Sequence, residues 1–203
     1  MSLSKICIDQ EVVHDSRVIS IRSQLNIPVE IVADAREVFN SISEAEDPVQ
    51  KAKEILFLTK NRGSFIRKCP GTRFYTCCGY MILHIGTFCT MDCSYCILQS
   101  YFHPPLLQYF VNHDDMLAEL DIMFAEKNVR RIGTGEFTDS MIWEFWTDLS
   151  SILVPKFSQQ SYTILELKTK TTAIDRLQYI DHRRKTVMAW SVNTEDVIRT
   201  NER

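Results

Sequence analysis

Apolar residues in the first part of the chain recur at three- and four-residue steps. In "EIVADAREVFNSISEAEDPVQKAKEILFLTK", residues 30 to 60, this spacing predicts two helices separated by "EDP". Pro48 suits the first turn of the second, where a missing N–H costs nothing. Residues 1 to 78 therefore read as an N-terminal helical segment that also carries cysteines. From "GYMILHIG" onward, short β-branched or apolar runs alternate with longer periodic segments. The runs predict strands at Tyr80 to Ile85, Arg130 to Gly133, Thr163 to Leu167 and Thr186 to Val192. Helices are expected at Asp114 to Lys127, Ser140 to Leu153 and about Thr172 to Tyr179, with a last one opening at Thr194. Strand, helix, strand, helix is the mark of an α/β fold with a buried parallel sheet, either doubly wound or a barrel. Ligands of such folds sit at the carboxyl ends of the strands.

Each predicted strand runs into residues with chemistry. Cys89, Cys93 and Cys96 follow the first, "GTGEFTDS" the second, "ELKTKT" the third and "WSVN" the fourth. Helix N-caps also account for Asp139, Ser140 and Thr194.

Composition changes the picture in two ways. With 45% hydrophobic and 24% charged residues the chain reads as soluble and globular, and no apolar run approaches the roughly 20 residues that span a bilayer, so no membrane partner is expected. The opening "MSLSKICIDQEVVHDSRV" has charges where a signal peptide needs an apolar core, which implies a cytoplasmic address. Seven cysteines in a reducing compartment are then ligands, catalytic groups or small buried side chains rather than disulfides. A net charge of −3 argues against a generally basic nucleic-acid binder. It leaves a local groove open at Arg130-Arg131 or at Lys168 and Lys170, whereas His182 to Lys185 reads as a solvated patch.

The spacing CxxxCxxC supplies three thiolates and no fourth in the same loop. Structural zinc wants four ligands in a closed tetrahedron, which this loop fits poorly. Thiolates also hold iron–sulfur clusters, and three would leave one iron of a 4Fe-4S cube without a protein ligand. An open iron predicts reactivity rather than scaffolding.

The loop resembles that of the radical S-adenosylmethionine enzymes, in which the open iron is chelated by S-adenosylmethionine. The resemblance implies a partial (βα) barrel and reductive cleavage of S-adenosylmethionine to a 5′-deoxyadenosyl radical. It also implies an electron donor such as flavodoxin or ferredoxin. By the same resemblance Gly133, Thr134, Gly135 and Glu136 form the turn that receives the ammonium of S-adenosylmethionine. Ser191 and Asn193 contact its ribose and carboxylate, and Lys170 pairs with that carboxylate. The family usually wraps about six βα units; about four can be counted here, so residues 79 to 203 read as a core truncated on its C-terminal side.

"CTMDCSYCILQSYF", "RIGTGEFTDS", "LELKTKT" and "AWSVNTEDVI" look closest to the spore photoproduct lyase branch, from about Ile55 to the end. That branch repairs a thymine dimer in spore DNA, which makes DNA a candidate partner. Tyr95 and Glu136 are the candidate catalytic residues. Where the branch carries its hydrogen-donor cysteine, this sequence has Glu136 or, one residue along, Phe137. Where it carries a tyrosine after the last cluster cysteine, this sequence has Ile97. A related enzyme with the same radical-generating half and a different acceptor follows. Two other readings stay open: a non-catalytic zinc- or cluster-binding module, and a truncated remnant that cannot hold S-adenosylmethionine.

The remaining cysteines and aromatics are less directed. Cys69, Cys77 and Cys78 supply a substitute thiol, extra metal ligands or core residues; Cys7 and His84 read as packed core. Tyr95, Tyr101, Phe102, Tyr109 and Phe110 stack on bases or, the preferred reading, edge the core beside the cysteine loop.

Overall fold

The computed structural model describes residues 3–202. In chain order its first elements are β1 (Lys5–Asp9), α1 (Ser16–Leu25), β2 (Val29–Val32), α2 (Ala35–Ser43), α3 (Pro48–Glu54), β3 (Ile55–Thr59), β4 (Ile66–Lys68), β5 (Met81–Leu83) and β6 (Gly86–Thr87). There follow α4 (Leu98–Tyr101), β7 (Leu107–Phe110), α5 (His113–Ala125), β8 (Arg130–Gly133), α6 (Leu149–Ser158), β9 (Thr163–Thr169), β10 (Thr186–Trp190) and α7 (Glu195–Asn201). Two compact units interleave along the sequence. The first takes the chain up to Asn61, Gly86–Asn112 and the chain from Val192; the second takes Arg62–Ile85 and His113–Ser191.

In the first unit the two expected helices are present as α2 and α3, but the N-terminal segment is not helical alone. It alternates strands and helices and builds a sheet of order β2-β1-β3-β7-β6, parallel except at β6. β3, "ILFLT", is buried at every position, as a strand covered on both faces must be. Its unbroken apolar run joins directly to α3, so periodicity reads it as more helix. Aspartates start α1, α2 and α3: Asp15, Asp34 and Asp47 accept from the backbone N–H groups of Arg17, Arg36 and Gln50 at 2.8, 2.7 and 2.9 Å. Each satisfies a donor that the helix itself leaves unpaired. Cys7 is buried in β1, in line with a core role.

The second unit holds a sheet of order β10-β9-β8-β5-β4, parallel except at β4. β5, β8, β9 and β10 lie side by side in the order the chain makes them. A doubly wound sheet reverses its order partway; one that never reverses is barrel wall. The sheet is a partial, unclosed barrel.

Two helix expectations are corrected here. Ser140 to Leu153 is not one helix but a 3-10 turn, Ile142–Phe145, followed by α6. Glu144 folds inward and accepts from Ser150 through its backbone N–H at 2.8 Å and its hydroxyl at 2.7 Å, capping α6 from within. Burial holds the Glu144 carboxyl above its ordinary range despite those bonds. Thr172 to Tyr179 contains only a 3-10 turn, Leu177–Tyr179. Thr169 and Thr171 hydroxyls accept from the N–H groups of Thr171 and Ala173 at 2.9 and 3.3 Å, a local bonding that competes with the helix. Beside this segment opens an apolar cleft of about 350 Å³ lined by Val154, Leu177, Met188 and Trp190 among others. Among the described residues no helix is long and apolar enough to cross a membrane.

Candidate functional site

The cysteine loop lies between β6 and α4 in the first unit. Cys93 is buried, Cys89 and Cys96 half-buried, and no disulfide forms among the described residues. The Cys96 N–H donates to the Cys93 carbonyl at 2.9 Å, closing a turn, and the Met91 N–H points at the Cys89 sulfur at 3.4 Å. Among the described residues no three Cys, His, Asp or Glu side chains converge as a metal-holding group. The three thiols share one short loop. The donor set nevertheless fits an iron–sulfur cluster: soft sulfur ligands only, three of them, on one short loop.

Two anchors hold the loop. Lys53, near the end of α3, is fully buried and forms an ion pair with Asp92, the residue before Cys93. Gln99 then donates to the Asp92 carboxylate at 3.3 Å and to the Cys93 carbonyl at 2.9 Å. The second anchor is the end of α7. The Ser94 N–H donates to the Asn201 carbonyl at 2.8 Å, and the Ser94 hydroxyl to the Asn201 side chain at 2.8 Å. The half-exposed Tyr95 donates its hydroxyl to Glu202 and accepts from the Asn193 amide at 2.9 Å; that amide also reaches Glu202 at 2.5 Å. Tyr95 and Asn193, singled out for different roles, therefore share one hydrogen-bonded cluster. Lysine on a helix normally reads as a solvated face, so nothing in the sequence marked Lys53. Asp92 carried a signal, a charge inside a ligand motif, that passed unread.

The glycine turn belongs to the second unit and follows β8. A Cβ on Gly133 would stand 1.8 Å from the Tyr80 hydroxyl; one on Gly135 would stand 2.9 Å from the Lys168 Cβ and 3.0 Å from the Ser140 hydroxyl. Both positions need glycine for close approach. Thr134 is buried, and its N–H reaches the Glu166 carbonyl at 3.4 Å. Glu136 accepts from Lys168 Nζ at 3.1 Å. Burial opposes the charge on Lys168, but Tyr80, Glu136 and Glu166 together keep its pKa above the ordinary lysine value. Lys168 also sits over the Tyr80 ring at 4.7 Å. Sequence reasoning chose Lys170 as the working lysine and missed Lys168 in this role.

Lys170 donates to the Ser191 carbonyl at 3.0 Å, so these two candidates meet within the second unit. Asp139 is more than a turn residue: it accepts from Met141 N–H at 2.8 Å, Thr169 hydroxyl at 2.7 Å and Lys170 N–H at 2.8 Å, tying the turn to the end of β9. Burial raises its pKa, and these bonds only partly offset that. The candidates fall in both units: the cysteines, Tyr95 and Asn193 in the first, the glycine turn, Glu136, Lys170 and Ser191 in the second.

Of the other residues, His84 is buried and meets Phe137 edge-on at 4.9 Å, the core role expected of it. Tyr109 and Phe110 are buried in β7, but Tyr95 and Tyr101 are exposed, which corrects the core-edge reading for those two. Cys77 and Cys78 are exposed, so burial does not explain them.

Parallel strands wound in one direction, with a CxxxCxxC loop and a glycine–glutamate turn after the second strand of the barrel wall, define a protein of the radical S-adenosylmethionine class. Residues 72–203 match the spore photoproduct lyase family model, and the chain belongs to that family. No curated protein matches the sequence. Among solved structures, a spore photoproduct lyase mutant with the dinucleoside spore photoproduct superposes with a TM-score of 0.84 at 21% identity. A double mutant with bound AdoMet and the dinucleoside spore photoproduct gives 0.83 at 21%, and a further complex with that dinucleoside 0.82 at 20%. Each match covers 98% of this chain and 59% of the other, so the chain spans about three-fifths of the length of those lyases. At such identity the likeness speaks for the fold.

Proposed function

We propose that the chain carries the radical-generating half of an enzyme related to spore photoproduct lyase, with Cys89, Cys93 and Cys96 as ligands of a 4Fe-4S cluster. The observation that supports it most is the ligand set itself: three thiols on one anchored loop, with no fourth on that loop. When bound, such a cluster with an open iron supplies the electron that cleaves S-adenosylmethionine to a 5′-deoxyadenosyl radical.

The chain's own residues bind and orient. Gly133, Thr134 and Gly135 with their backbone carbonyls, and Glu136 with its carboxylate, would hold the ammonium of S-adenosylmethionine. Lys168 holds that carboxylate in place and balances its charge. Lys170, Ser191 and Asn193 are assigned to the carboxylate and ribose. The Tyr95 hydroxyl is held by Glu202 and Asn193, which fixes its orientation next to Cys96 in sequence. A one-electron donor such as flavodoxin or ferredoxin is required, and a cytoplasmic address suits both it and the reduced thiols. The structures that bind a dinucleoside spore photoproduct suggest a lesion in DNA as substrate. No thiol stands at Glu136 or Phe137 to return a hydrogen atom, so the final acceptor chemistry differs from that of the lyase.

Anaerobic reconstitution with iron and sulfide tests the assignment. About four irons and four sulfides per chain are expected, with calorimetric binding of S-adenosylmethionine that Glu136→Gln weakens. Stoichiometric zinc and no iron, or iron loading unaffected by Cys93→Ala, would overturn it.

A further inference from the structure

The hairpin of β4 and β5 carries an exposed tip to which the proposed function assigns no role. The Cys69 N–H donates to the Tyr80 carbonyl at 3.1 Å, extending the ladder, and beyond it residues 70–79 are all exposed. At the tip Phe74 is 94% and Tyr75 78% exposed, and the Arg73 guanidinium lies over the Phe74 ring at 5.0 Å. Phe74 holds a φ of 71°, in the left-handed region that costs an aromatic residue about 1 kcal/mol. An apolar ring kept in water on an unfavourable backbone does nothing for the fold of this unit.

Charge points to its partner. Although the whole chain is net −3, residues 55–91 contain no aspartate or glutamate and five basic residues: Lys60, Arg62, Arg67, Lys68 and Arg73. Three of these, Arg67, Lys68 and Arg73, belong to the hairpin, and Arg67 and Lys68 are exposed on β4. The facing acidic group is Glu119 on α5. Its carboxylate is engaged by the N–H groups of Phe65 and Ile66 at 2.9 and 3.0 Å and by the Ser64 hydroxyl at 2.7 Å, with Arg67 nearby. Glu119 therefore cancels part of Arg67 and leaves Lys68 and Arg73.

We infer that this hairpin tip is a single-stranded nucleic-acid contact, in which Phe74 and Tyr75 stack on unpaired bases while Arg67, Lys68 and Arg73 meet phosphates. Aromatic faces beside a basic stripe are how sequence-tolerant binders hold unstacked strands. Bases inside a duplex offer no free face, so single strands or locally opened lesions are the target. The inference rests on the proposed function only in naming nucleic acid as the polyanion.

Anisotropy of a fluorescein-labelled, thymine-rich single-stranded oligonucleotide with the full chain, prepared without cofactor, tests it. Phe74→Ala with Tyr75→Ala is expected to weaken binding about tenfold or more. Arg67→Ala, Lys68→Ala and Arg73→Ala together should lower the salt slope by about 2. The oligonucleotide should also protect the exposed Cys77 and Cys78 from alkylation. No binding by the unaltered chain, equal binding by the aromatic variant, or equal competition by heparin, which has charge and no bases, would overturn it. Because the assay needs no cluster, binding that survives a failed reconstitution sinks the enzymatic reading and spares the hairpin, and the reverse result does the opposite.

Discussion

The ion pair of Lys53 and Asp92 is unequal: the lysine side chain is 0% exposed and the carboxylate 35%. Removing the carboxylate strands a buried ammonium, whereas removing the lysine leaves an aspartate that water can reach. Asp92→Asn should therefore destabilise the chain by about 3 kcal/mol, and Lys53→Met by clearly less, as read from urea-unfolding midpoints. Equal losses would mean that the pair is not what anchors the cysteine loop. His84 makes a second prediction. Burial, helped by Arg67, lowers its pKa from 6.5 to about 4, so the folded chain keeps it neutral. The unfolded chain takes up the proton first as pH falls. The stability this site contributes is whole above pH 6.5 and is lost between 6.5 and about 4, at about 1.4 kcal/mol per pH unit. Unfolding followed from pH 7.5 to 5 should show that slope, and His84→Gln should flatten it. At this scale the sequence was legible where identity alone defines chemistry, as in the three cysteines. It was silent where chemistry comes from a partner far along the chain, as for Lys53 with Asp92 or Lys168 with Glu136.

Among the elements, the turn after β8 is the most constrained. Gly135→Ala places a methyl against Lys168 Cβ and the Ser140 hydroxyl, at 2.9 and 3.0 Å, and neither neighbour is a freely moving chain end. The expected cost is about 1–3 kcal/mol, with loss of S-adenosylmethionine binding in calorimetry; unchanged melting and binding would show that the turn tolerates a side chain. Glu144→Ala should cost about 1–2 kcal/mol by uncapping α6, measurable as a lowered melting temperature without effect on iron loading. The strands β9 and β10 were legible because each is a short run rich in β-branched and apolar residues. The helix expected from Ser140 was misread because Glu144 looks like a surface residue yet folds inward as a cap. β3 went unread for lack of a boundary: "ILFLT" follows α3 without a turn residue between them.

For the molecule as a whole, the alternation of strands and helices gave the second unit's parallel sheet, and its strand order decided for barrel wall over double winding. The interleaving of two units was not legible, since segments far apart in sequence, Gly86–Asn112 and the chain from Val192, join the N-terminal sheet. That arrangement places α7 against the cysteine loop through Ser94 and Asn201, long-range contacts that local pattern cannot encode. The claim on which the rest depends is the proposed reductive cleavage of S-adenosylmethionine by a cluster held on the cysteine loop. Its most direct test is anaerobic formation of 5′-deoxyadenosine from S-adenosylmethionine and dithionite by the reconstituted chain. The unaltered chain should form 5′-deoxyadenosine, Cys93→Ala none, and Glu136→Gln much less. A chain that binds four irons yet forms no 5′-deoxyadenosine, or a Cys93→Ala variant that still forms it, would contradict the account.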